Sequence, residues 1–79
     1  MTNEEMAEQD RELTNAQTAR LFHLHAIEQH EKALEYHREA VRFHGLNDLT
    51  NAMKNALLAQ THTLHATEHT AAATKRYSE

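Results

Sequence analysis

The sequence predicts an all-α fold, an antiparallel two-helix hairpin, on three observations. The 79 residues contain no proline and a single glycine, Gly45. Alanine recurs at every seventh position on both sides of that glycine, at 19, 26, 33 and 40 and again at 52, 59, 66 and 73. Histidine follows the same period in the first half, at 23, 30, 37 and 44. A seven-residue period marks helices packed in a left-handed coil, with the repeating residues on the shared seam. Nothing in the composition separates a second domain, so residues 1–79 read as one unit.

Helix 1 is expected over about residues 3–44. Thr2 and Glu5 have the spacing of a capping box, and Glu4 and Glu5 complement the positive end of the helix dipole. Its text runs His23-Leu24-His25-Ala26-Ile27, His30-Glu31-Lys32-Ala33-Leu34, His37-Arg38-Glu39-Ala40-Val41, then His44, a threefold His-x-x-Ala-aliphatic pattern. The turn is expected at residues 45–47, with Gly45 in the left-handed position that ends many helices and Asn47 or Asp48 capping the second helix. Helix 2 is then expected over about residues 48–76.

A tight turn there sets residues whose numbers sum to about 92 level with one another. Ala40 then meets Ala52, Ala33 meets Ala59, Ala26 meets Ala66 and Ala19 meets Ala73. The same register pairs His30 with His62, His23 with His69, His37 with Asn55 and His44 with Asp48. Phe22, Tyr36 and Phe43 are expected on the opposite face, toward Leu49, Ala56 and Thr63. Two helices cannot enclose a core at this size, and hydrophobic residues make up only 39% of the chain, so self-association is expected. The simplest assembly is a four-helix-bundle dimer, or a higher oligomer, with the His and aliphatic faces inward.

Charge and composition exclude several classes. The net charge of −4 lacks the basic face that neutralises phosphates, so no nucleic-acid partner is expected. No apolar run of about 18 residues is present, so no membrane partner is expected, and the acidic start Met1–Asp10 does not resemble a secretory leader. As given, the chain reads as cytoplasmic, or as periplasmic if a leader preceded this numbering. No cysteine is present, Ser78 is the only serine, and no glycine-rich phosphate loop occurs, so no enzyme is expected. His30-Glu31 opens like a zinc-protease motif, but Leu34 stands where its second histidine belongs.

The histidines carry the expected function. Two imidazoles seven residues apart on a helix are about 10.5 Å apart along its axis, whereas two ligands of one ion lie within about 4 Å. Each rung therefore needs a ligand from another helix. His23, His30, His62, His65 and His69 form the first rank of candidate metal ligands, through the pairs 23/69 and 30/62 and the i, i+4 pair 65/69. His37 and His44 form the second rank, because their cross-helix neighbours are Asn55 and Asp48. His25 is expected in solvent. Imidazole sites without thiolate suit Cu(II), Ni(II) or Zn(II), with copper first in the general affinity order. The plainer alternative is a set of polar side chains filling bundle positions and hydrogen-bonding one another, in which case burial would depress their pKa values and acid would weaken the bundle. A bis-His haem between helices is a minor alternative.

The stretch His37-Arg38-Glu39-Ala40-Val41-Arg42-Phe43-His44-Gly45, with the similar text before it, resembles the small His-rich metal-binding proteins of bacteria. The likeness covers about residues 23–45 and, loosely, 62–69. It implies a non-enzymatic binder or scavenger of divalent copper- or nickel-like ions. A hairpin turning at Phe43-His44-Gly45 also looks like the secreted WxG-type helical hairpins, which are metal-free dimeric interaction proteins.

Overall fold

The computed structural model describes the backbone of residues 3–78 and the side chains of residues 14–75. It contains two helices, α1 (Asn3–Gly45) and α2 (Leu49–Ser78), folded back on each other as an elongated hairpin of 68 × 14 × 11 Å. The expected capping pair Thr2 and Glu5 lies outside the described side chains. Among the described residues no helix is long and apolar enough to cross a membrane.

The turn is shifted from its expected place. Gly45 does not take a positive φ; it is the last helical residue of α1, and Asn47 is the residue in the left-handed region, at φ 57°. The amide of Asp48 donates to the Phe43 carbonyl at 2.9 Å and that of Asn47 to the His44 carbonyl at 3.1 Å. These two bonds close the end of α1 in the double-bonded motif that usually employs glycine, here with asparagine. Asparagine is the non-glycine residue that best tolerates this conformation. Asp48 then caps α2: its Oδ1 accepts from the Asn51 amide at 3.1 Å and its carbonyl accepts from the Ala52 amide at 3.0 Å.

The cap makes a pH prediction. Hydrogen bonds from the Asn51 side chain and backbone hold the Asp48 carboxyl below the ordinary aspartate range. A depressed carboxylate stabilises the folded state above its ordinary pKa and loses that contribution as pH falls through the depressed value, so the loss is confined to below about pH 4. Asp48→Asn keeps an acceptor without a titrating charge. Its melting temperature is expected to fall less than that of the wild type between pH 4 and pH 2, measured by circular dichroism.

The seam is made of alanine. Ala52, Ala59, Ala66 and Ala73 have no exposed surface, and Ala19, Ala26, Ala33 and Ala40 have between 1% and 8%. Side chains of one methyl let the backbones approach closely, so the contact gains dispersion energy along its whole length while burying little apolar volume. No large side chain is fully buried among the described residues. The seven-residue alanine repeat thus specifies the pairing of the two helices without building a core.

Candidate functional site: two histidine flanks

The contacts of Gln29 with His62 and of Phe22 with His69 agree with the expected register along the axis to within a residue, but the azimuth of the histidines differs. On a helix, a residue three positions after an alanine is turned about 60° to one side, and one three positions before it about 60° to the other. His62 and His69 follow Ala59 and Ala66 by three; His23, His30 and His37 precede Ala26, Ala33 and Ala40 by three. Antiparallel helices bring equal offsets to the same flank and opposite offsets to opposite flanks. His30 and His62 are therefore level with each other but lie on different sides of the hairpin, as are His23 and His69.

The first flank carries His25, His62, His65 and His69. His62 is half-buried; its Nδ1 lies 2.6 Å from Oε1 of Gln29, and its ring stacks on Tyr36 at 5.4 Å between centroids and 10° between planes. His65 meets the His62 ring edge-on at 6.1 Å. His69, also half-buried, lies 6.1 Å from Phe22 and 5.4 Å from His25. Phe22 and Tyr36 thus pack against His69 and His62, not toward Thr63 and Ala56.

His25 belongs to this flank although its sequence position suggested open solvent. It precedes Ala26 by one residue, which turns it toward the Phe22 row, and its Nδ1 lies 3.9 Å from Glu28. Hydrophobic patterning hid it, because the side chain is exposed and reaches His69 from the rim. Charged residues surround this side: Lys32, Glu35, Glu39, Arg42, Lys54 and Glu68 fall on it or on its outer edge. Arg42 grips Glu39 with two hydrogen bonds at 2.8 and 3.1 Å and lies 4.3 Å over the Phe43 ring. The hydrogen bond from Arg42 lowers the Glu39 pKa.

The second flank carries His23, His30, His37 and His44, all exposed, interleaved with Ile27, Leu34 and Val41 at 52%, 49% and 72% exposure. Helix α2 contributes Leu49, Met53, Ala56, Gln60, Thr63, Thr67 and Thr70 to the same side. Thr63 and Thr67 donate their hydroxyls to the carbonyls of Ala59 and Thr63, at 2.9 and 3.0 Å. The donor of each of these two hydroxyls is thereby satisfied within its own helix.

None of the eight histidines is buried within the hairpin, so acid sensitivity through burial would require a second molecule. Among the described residues no three His or acidic side chains are disposed to hold one metal ion. The arrangement offers imidazole pairs on the first flank and a ladder on the second. No protein-family model, curated protein or solved structure matches this chain.

Proposed function

We propose that the chain is a self-associating helical module, a scaffold whose working form is a bundle of two or more hairpins, with binding rather than catalysis as its task. The observation that carries this reading is the contrast between interior and surface. The seam buries only alanine, while eleven large aliphatic or methionine side chains among the described residues are 40% exposed or more. Such an excess of apolar surface on a small helical unit marks an association site. Sedimentation velocity over a hundredfold concentration range tests it. Mass corresponding to two or more chains, with a melting temperature that rises with concentration, is expected; a monomer throughout overturns the reading.

The His62 environment supports a second reading, capture of a divalent transition metal. The 2.6 Å contact with Gln29 orients the His62 ring, and metal-binding histidines are commonly oriented in this way through their other ring nitrogen. His65 and His69 are spaced one turn apart, as a two-imidazole chelate requires. Calorimetric titration with Cu(II), Ni(II) and Zn(II) is expected to give the tightest binding with copper, and Gln29→Leu is expected to weaken it. Binding no tighter than millimolar for all three ions would sink this reading.

A further inference from the structure

Resting on the self-association reading, we infer that the His23 flank is the docking surface for a second copy of this chain, in an antiparallel α1–α1 contact that acid opens. Arg20, His23, Ile27, His30, Leu34, His37, Val41 and His44 are spaced alternately three and four apart. That is the spacing of a coiled-coil seam, and it is distinct from the alanine seam already occupied by α2. Helix α1 therefore carries two seams, and only one is filled within the hairpin.

The identity of the occupant comes from the pattern itself. The row is nearly palindromic about Leu34. An antiparallel copy centred there sets Leu34 against Leu34, Ile27 against Val41, His30 against His37 and His23 against His44. Aliphatic layers meet aliphatic layers and imidazoles meet imidazoles, each neutral pair offering one N–H donor and one acceptor. The alternative, with both turns at one end, would set Leu34 against Gln60 and Ile27 against Thr67.

Charge points the same way. The seam holds no acid and no lysine, and Arg20 is its one fixed charge. Glu31 and Arg38 stand on the outer edge of α1, beyond the aliphatics, and α2 contributes no ionisable group to this flank between Leu49 and Thr70. The overlap of residues 23–45 is about 33 Å long and about 20 Å wide, roughly 700 Å² per copy, close to the roughly 800 Å² per partner of stable interfaces.

The imidazoles make this contact pH-dependent. In the dimer the groups facing each histidine are the imidazoles of the second copy and the flanking aliphatics, so two protonated rings would meet in a desolvated layer. The dimer thus binds fewer protons than two separate hairpins. It is stable above the ordinary histidine pKa and is lost as pH falls below it. Each imidazole that must be neutral in the seam raises the dissociation constant by up to about 30-fold between pH 8 and pH 5.

The test is sedimentation equilibrium of the full chain at pH 8 and pH 5, with circular dichroism to follow helicity. A dimer at pH 8 that dissociates at pH 5 is expected. Leu34→Lys is expected to be monomeric at pH 8, and the double variant His30→Leu, His37→Leu to lose less affinity than the wild type between pH 8 and pH 5, since only the His23 and His44 layers still titrate. Because the chain has no cysteine, Leu34→Cys gives a direct measure of register: mild oxidation is expected to yield a disulfide-linked dimer, and Leu64→Cys on the outer edge is not. A dimer that Leu34→Lys leaves intact, that Leu34→Cys fails to cross-link, or that is equally tight at pH 5 overturns this inference while leaving self-association standing. A monomer at every concentration and pH overturns both.

Discussion

Ala59→Leu is expected to lower the stability of the hairpin by about 3 kcal/mol, the upper part of the range for overpacking a tight interior. Ala59 has no exposed surface and sits mid-seam, between Ala52 and Ala66, which are equally buried. A leucine there has nowhere to turn, because the neighbouring alanines on the same face hold the helices together over their whole length. The helices must separate, and separation removes dispersion contacts along the seam instead of at one residue. For a chain of this size the melting temperature falls by about 4–8 °C per kcal/mol, hence by roughly 12–24 °C. Thermal melts by circular dichroism measure it. Leu57→Ala, at 55% exposure on the outer edge of α2, is expected to change the same melt little when concentrations are low. Equal effects from the two substitutions would refute the alanine seam as the source of pairing.

Asn47→Val is expected to cost about 2 kcal/mol, since a β-branched residue at a φ of 57° clashes with its own carbonyl and left-handed geometry is penalised by about 1–2 kcal/mol even for simpler side chains. Asn47→Gly relieves the residual strain and is expected to raise the melting temperature. Gly45→Ala is expected to raise it as well, by the propensity difference of up to about 1 kcal/mol, because Gly45 is helical and a Cβ added there meets nothing within 4 Å. A glycine in the left-handed position would respond in the opposite direction. Melts of the three variants therefore distinguish a turn closed at Asn47 from one closed at Gly45.

The displaced turn shows one boundary of what sequence patterns convey. Glycine at a helix end is a strong signal for a left-handed residue, but Asn47 and Asp48 supply a competing signal two residues later. The choice between them depends on where the alanine rows must meet. Closing at Asn47 extends α1 to Gly45 and starts α2 at Leu49, leaving Asp48 free to cap.

The histidines show a second boundary. Their seven-residue spacing, and the impossibility of chelation along one helix, are properties of helix geometry and were available from the residues alone. The expected partners were not, because level residues need not face each other. His62 finds Gln29 and Tyr36, and His69 finds Phe22, since residues that come three after the seam alanines on either helix share one flank, and His25, one before Ala26, reaches His69 from the same side. His30 and His23 lie on the other, where the hairpin offers them no partner ring.

By itself the sequence determined that two helices form, that alanine joins them, and in what axial register, because a period of seven and a single glycine allow few other arrangements. Only the tertiary structure decided which flank each histidine occupies and how much of the aliphatic surface remains uncovered. Those depend on how two opposed rotations combine around a common seam, a property of the pair that neither helix carries alone.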